Sequence, residues 1–294
     1  MKLIYLQFLI VLSLFSSEKE IVVVIPSYNN AQWATYNIKS VIGQNYENFR
    51  IIYINDSSSD ETDSIVRELV RAIPNRSFQS VNFSEKNGED LPEKTDRFKK
   101  TVKGNSDFFT LVTNTERCGA LENIYRAVHS CENHEIIAIV DGDDWLAHDQ
   151  VLETLNQLYS SNDIWMTHGK LIEYPNGQTF WCKPIPEELI AANSIRQFRC
   201  PSHLRTFYCW LFKKISPKDL MLGGKFFPVT GDMAVMFPLT EMAGKHQFFI
   251  DEINYVYNVE SSLNDNKVAT DLQNQFDFYI RHLPPYQPLE KPES

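Results

Sequence analysis

Residues 141–144, Asp-Gly-Asp-Asp, place three carboxylates directly after the apolar run IIAIV (136–140) and before Trp145 and Leu146. Carboxylates this close repel one another, and burying them unpartnered is costly, so packing does not account for them. A divalent cation does. Hard ions take oxygen ligands, and Mg²⁺-type sites commonly combine one or two carboxylates with substrate phosphates. On an extended chain, Asp141 and Asp143 project to the same side. The other reading is a charged turn ahead of the next helix, with Asp149 capping VLETLNQLY (151–159). This stretch alone leaves both readings open.

Such a cluster does chemistry only where the chain holds it. IIAIV is a short continuous apolar run, the pattern of a strand buried on both faces in a parallel sheet. IVVVI (21–25) is a second, ended by Pro26 and followed by Ser27, Tyr28 and Asn29. A helical stretch over 31–43 follows, and FRIIYIN (49–55) then leads into Asp56, three serines and Asp60. Strand, helix, strand, helix with polar strand tips predicts a right-handed βαβ sheet. Ligands of such sheets sit beyond the carboxyl ends of the strands, at a switch in strand order. PSYNN, NDSSSD and DGDD are therefore expected on one crevice. The sheet is predicted from 21–25, 50–55, 108–112 and 136–140.

IVVVIPSYNN, IIYINDSSSDET, NTERCGALENIYRAV and IIAIVDGDDWL, in this order and spacing, resemble the family 2 glycosyltransferases of the GT-A fold. The resemblance is close over about residues 20–160 and loose over 161–260. It implies an α/β, Rossmann-like chain with a mainly parallel central sheet flanked by helices. It also implies an inverting transferase that takes a sugar from a nucleotide-sugar, with UDP expected, to a hydroxyl acceptor, expected to be a glycan. Mn²⁺ or Mg²⁺ is the implied cofactor.

Residue roles follow from the same resemblance. Pro26, Ser27 and Tyr28 lie at the nucleotide-sugar-binding strand tip, with Tyr28 against the uracil ring. Asp56 accepts from the base N3–H, a donor that a carboxylate reads well. Arg117 lies near the nucleotide, where its guanidinium can hold Asp56 or a phosphate. Asp143 is the direct metal ligand, Asp141 binds ribose or the metal through water, and Asp144 serves the sugar hydroxyls. Asp232 matches the Asp of an acidic pair that begins a helix and deprotonates the acceptor, although Gly231 replaces the preceding glutamate. Glu260 stands where the family places a metal-binding histidine. Each residue also has a structural reading: a core aromatic for Tyr28, a loop or helix cap for Asp56, Asp60 and Asp232, an ion pair for Arg117, a surface charge for Glu260. The segment 200–214, with His203, Arg205 and several aromatics, fits an acceptor cleft or ordinary core.

At 294 residues, with 43% hydrophobic and 22% charged residues, the chain has ample material for one large α/β domain or two small ones. A net charge of −10 without a basic stripe disfavours nucleic acid as a partner. It also means that a polyanionic donor needs a bridging cation. Lys2 and the apolar run Leu3–Phe15 describe a signal peptide or N-terminal anchor over 1–17. A secretory or membrane-associated location is therefore expected, with the cytoplasm as the alternative. The transferase domain is expected over 18–262, with a nucleotide-sugar half to 160 and an acceptor half beyond it. Residues 263–294 are expected to form a tail, and the charged run 84–107 a surface insertion. Five cysteines without a Cys-x-x-Cys pair indicate neither a zinc site nor a disulfide framework. A nucleotidyltransferase of related fold would usually carry a basic, Gly-rich first loop, which PSYNN is not. A catalytically silent carbohydrate-binding protein could dispense with Asp143 or Asp232, and both are present.

Overall fold

Ile21 to Ile25 are each at most 1% exposed, so β1 (Ile21–Ser27) is covered on both faces, as its unbroken apolar run requires. The computed structural model describes residues 18–84, 86, 88–103, 107–161, 163–179, 182–262 and 269–291. The expected segment 1–17 lies outside them. The remaining strands are β2 (Phe49–Asn55), β3 (Phe78–Phe83), β4 (Phe109–Asn114), β5 (Ile136–Ile139), β6 (Trp145–Leu146), β7 (Met166–Tyr174), β8 (Arg205–Tyr208), β9 (Met221–Leu222), β10 (Lys225–Phe226) and β11 (Gln247–Asn258).

Among the described residues one nine-stranded sheet runs β3-β4-β2-β1-β5-β8-β7-β11-β6. Its first five strands are all parallel. β8 is antiparallel to both β5 and β7, and β11 is parallel to β7. The fold is the expected α/β one, with a mainly parallel sheet between two apolar clusters. The order reverses at β1, whose neighbours are β2 on one side and β5 on the other. The crevice beyond the carboxyl ends of β1 and β5 is thus the switch point where a ligand is expected.

The 84–107 segment differs from expectation. Helix Leu91–Lys103 occupies most of it, and Phe98 and Val102, four residues apart, are 0% and 4% exposed. Phe98 meets Phe83 of β3 edge to face at 5.2 Å. Charges surround a narrow apolar stripe, so the run reads as solvated although one side closes the sheet edge. Residues 269–291 do not form a free tail either. Helix Thr270–Arg281 seats Ile280 in the core at 1% exposure, and Arg281 donates to the Phe198 carbonyl at 2.7 Å. Further on, the Tyr286 N–H donates to Glu241 at 2.9 Å. Among the described residues no helix is long and apolar enough to cross a membrane, and all five cysteines are free.

His168 on β7 is 0% exposed, with Nε2 3.2 Å from the Gln247 side-chain oxygen and no partner for Nδ1. Burial pushes it down to about 4, with Arg205 adding to the effect. A folded-state value below the unfolded 6.5 means that the unfolded chain takes the proton first. Stability from this group is complete above pH 6.5 and is lost as pH falls towards 4. The expected loss is up to about 3 kcal/mol. Chemical unfolding at pH 7 and pH 4.5 should show His168→Gln reducing that difference. An unchanged difference would contradict the assignment.

Candidate active site

The turn after β5 is built around Gly142. A side chain there would put its Cβ 2.5 Å from Ser27 Oγ and 2.7 Å from Asn30 Nδ2, so only glycine lets the acidic turn close on the β1 tip. The Gly142 N–H donates to the Pro26 carbonyl at 3.0 Å. Asn37, fully buried on helix Ala34–Ile42, donates to the carbonyls of Asp141 and Asp144 at 2.9 and 2.8 Å. The Tyr255 hydroxyl accepts from the Asp141 N–H at 3.1 Å and donates to Asp144 Oδ2 at 2.8 Å. Asp144 Oδ1 accepts from the Asn258 N–H at 2.7 Å, and Asn258 Nδ2 reaches the Asp143 carbonyl at 3.1 Å. β1, one helix and β11 thus grip the turn from three sides.

Its electrostatics are strained. Burial and the nearby Asp143 and Asp141 charges push the Asp144 carboxyl well above the usual range. Burial also raises Asp141, but the His203 hydrogen bond and charge, with Arg205 behind, bring it below its ordinary value. His203 Nε2 lies 3.2 Å from Asp141 Oδ2, and its ring stacks on Tyr255 at 4.6 Å. Burial and Arg205 lower His203 against the pull of Asp141 and Asp232, so the ring is neutral at pH 7. Ionised Asp141 can only accept, so the proton sits on Nε2 and Nδ1 is left without a partner. Asp141, Asp144 and His203 each offer a ligand atom within 4.8 Å of the others. Oxygen and imidazole donors around excess negative charge fit Mn²⁺ or Mg²⁺.

Arg205, 8% exposed, carries the network onward by binding Asp232 Oδ2 at 3.0 Å. Asp232 is in the first turn of helix Gly231–Ala243, where sequence reasoning expected it, and its side chain is 36% exposed. The residue before that helix, Thr230, has φ 54°, and Asn29 and Ser57 at the β1 and β2 tips have φ 51° and 60°. Strained backbone of this kind gathers at functional sites.

On the nucleotide side, the Arg117 guanidinium lies 3.9 Å from the centre of the Tyr28 ring, the two residues expected together. Asp56 is 3% exposed and is held by the 114–119 segment. Its Oδ1 accepts from Asn114 Nδ2 at 2.8 Å and the Cys118 N–H at 2.9 Å, and its Oδ2 from the Gly119 N–H at 2.8 Å. Asp56 thereby fixes the 114–119 segment that carries Arg117. Pro26 and Ser27 are buried, and Ser27 Oγ accepts from Tyr53 at 2.8 Å and Asn30 at 3.1 Å, so their side chains hold the tip together rather than face a ligand. Asp60 is a cap, accepting from the Thr62 and Ala31 N–H groups at 3.0 Å.

Two expected metal ligands lie outside the converging trio. Asp143 is half-buried beside it and acts on Asp144 through its charge. Glu260 is exposed and lines a separate cavity with Gln32, Trp33 and Asn176. Sequence reasoning missed Asn37, Tyr255 and Asn258. The available signals were a polar residue on the buried face of an amphipathic helix and the Asn-Tyr-Val-Tyr-Asn pattern of β11.

Residues 22–89 match the family model described as Glycosyl transferase family 2. The fold is GT-A, and the family match covers that segment alone, under half of the chain. A Rickettsia bellii protein named as an uncharacterized glycosyltransferase is 36% identical over 50 residues, 17% of this chain and 7% of that protein. Three solved structures share the fold. The mannosyltransferase PcManGT of Pyrobaculum calidifontis, with GDP-Man and Mn²⁺, has TM-score 0.57 and 17% identity over 92% of this chain and 67% of that one. TarS of S. aureus with UDP gives 0.53 and 14%, over 82% of this chain and 60% of that one. Glucosyl-3-phosphoglycerate synthase of Mycobacterium tuberculosis, with Mn²⁺, UDP and glucosyl-3-phosphoglycerate, gives 0.51 and 12%, over 92% of this chain and 82% of that one. The chain thus spans well under two thirds of the Rickettsia protein and somewhat under two thirds of the TarS chain.

Removing the Asp56 carboxylate takes an acceptor from one buried donor, on Asn114, and from the half-buried N–H groups of Cys118 and Gly119. Asp56→Ala is expected to cost about 2–4 kcal/mol in chemical unfolding, whereas Tyr28→Ala at the half-buried ring should cost less than about 1 kcal/mol. Equal stability of the two variants would contradict the bracing role.

Proposed function

We propose that the chain is an inverting glycosyltransferase that moves a sugar from a UDP-sugar to a hydroxyl, on a glycan, with a divalent ion. The observation that carries this reading is a pair of hydrogen bonds, Arg205 to Asp232 at 3.0 Å and His203 to Asp141 at 3.2 Å, with the buried Arg205 charge acting on both His203 and Asp141. This supports a reading in which a carboxylate base and a metal-type acidic turn share one crevice, at the switch point of a GT-A sheet. UDP in two of the three similar structures, and Mn²⁺ in two, support the donor and the ion.

Asp141 and Asp143 would hold the ion, because Asp144 is 1% exposed and each of its oxygens already accepts a hydrogen bond. Bound there, the ion supplies charge neutralisation for the departing diphosphate. The chain's own residues do the rest. His203 holds Asp141 by its Nε2–H, and the base displaces Arg117 from the Tyr28 ring, freeing the guanidinium for a phosphate. Asp56 Oδ2, which accepts a single hydrogen bond, reads the uracil N3–H. The acceptor oxygen attacks the anomeric carbon and gives its proton to the Asp232 oxygen that Arg205 does not hold. The bond to the diphosphate breaks with its electron pair on the leaving oxygen, and the configuration inverts.

Asp232→Asn should lower turnover by roughly 10²–10⁴-fold with UDP affinity unchanged in calorimetry. Retention of configuration in the product, or full turnover of this variant, defeats the reading. For the ion, Asp143→Asn should remove Mn²⁺-dependent turnover, while His203→Gln should weaken Mn²⁺ by about 10–100-fold as a supporting residue would. The opposite ranking would seat the ion in the Asp141–Asp144–His203 trio.

A further inference from the structure

Beside the crevice lies a cavity that the donor chemistry leaves unused. Trp33, Tyr36, Trp145 and Tyr174 form one aromatic cluster, with ring centres 5.2–6.3 Å apart across the Trp145–Tyr174, Tyr36–Trp145 and Trp33–Trp145 contacts. Tyr36 is 57% and Tyr174 39% exposed, so the cluster opens to solvent instead of closing a core. Gathered aromatic surface of this kind marks an interaction site. Next to it, and sharing Trp33, is a cavity of about 450 Å³ whose lining includes Gln32, Asn176, Glu260 and Ser262. That size suits a small-molecule site.

We propose that this cavity and its aromatic cluster bind a neutral oligosaccharide. A pyranose ring has an apolar C–H face and a rim of hydroxyls. It therefore asks for flat aromatic surface beside amide, hydroxyl and carboxylate groups, which is the combination found here. Among the described residues the lining contains Glu260 and no Lys or Arg, so an anionic saccharide meets repulsion there. The position also fits. Trp145 directly follows Asp144, and Gln32 and Trp33 follow the β1 tip loop, so the cavity is continuous in sequence with two walls of the crevice. Naming the saccharide as the acceptor's outer units rests on the glycosyltransferase reading; binding itself does not. Glu260 thus serves a sugar rather than a metal.

The test uses the full chain, with chitotetraose, cellotetraose, mannotetraose and tetragalacturonate as probes. Tryptophan fluorescence and saturation-transfer NMR report binding. At least one neutral tetraose is expected to bind, tetragalacturonate is not, and the double variant Tyr36→Ala/Tyr174→Ala should weaken the neutral probe at least tenfold. UDP affinity measured on the same variant should be unchanged, which also shows that the fold is retained. The proposal is overturned if none of the neutral probes binds, if tetragalacturonate binds equally well, or if the double variant binds like the parent chain. Tetraose binding that persists in a parent chain unable to bind UDP would remove the donor reading and support this one.

Discussion

Three carboxylates in one four-residue turn repel one another, and most of what surrounds the crevice serves to hold that turn closed. The Tyr255 hydroxyl is the central clamp, since it accepts from one end of the turn and donates to the other. Tyr255 is itself 0% exposed, so the clamp is set by the core of the second half of the chain. Asn37 reaches the same turn from the first half. The acidic turn is thereby the joint between the two halves. Repulsion within it is tolerated because several buried hydrogen bonds would have to break together for it to open.

Arg205 extends this logic towards the acceptor side. A buried guanidinium needs anionic partners, and it finds Asp232 at 3.0 Å with Asp141 near enough to act on it. The base and the acidic turn are therefore not independent sites, because a change of charge at either is felt by the other through Arg205 and His203. The pairing with Arg205 fixes the position of the Asp232 carboxylate, which matters where geometry dominates the rate.

The parts of this arrangement that were legible in the sequence are those written as contiguous runs. IVVVI and IIAIV announce doubly buried strands without any periodicity argument, and polar tips after such strands lie on one edge for topological reasons. Asp232 at a helix start was legible through the family resemblance instead. What escaped notice depends on contacts between distant segments. Helix Leu91–Lys103 hides because two apolar residues suffice to seat it. Asn37 in a helix reads as surface polarity until its partner carbonyls, more than a hundred residues away, are known. Asp56 and Ser27 looked like ligand contacts and are largely braces, a distinction that only burial and hydrogen-bond partners make.

Glu260 shows how the two kinds of information combine. Its position after the β11 aromatics suggested a metal ligand by resemblance, yet β11 ends at Asn258, whose backbone and side chain are both taken up in holding Asp143 and Asp144. Two residues later the chain has turned outwards, and the Glu260 N–H caps the Asn258 side chain at 3.0 Å. The carboxylate is not among the converging ligand atoms and lines the cavity with Trp33. That placement is electrostatically sensible, since a fourth carboxylate facing the turn would raise Asp144 further. The same turn that denies Glu260 to the ion brings it beside Trp33, where an acceptor of hydrogen bonds next to a flat ring is useful.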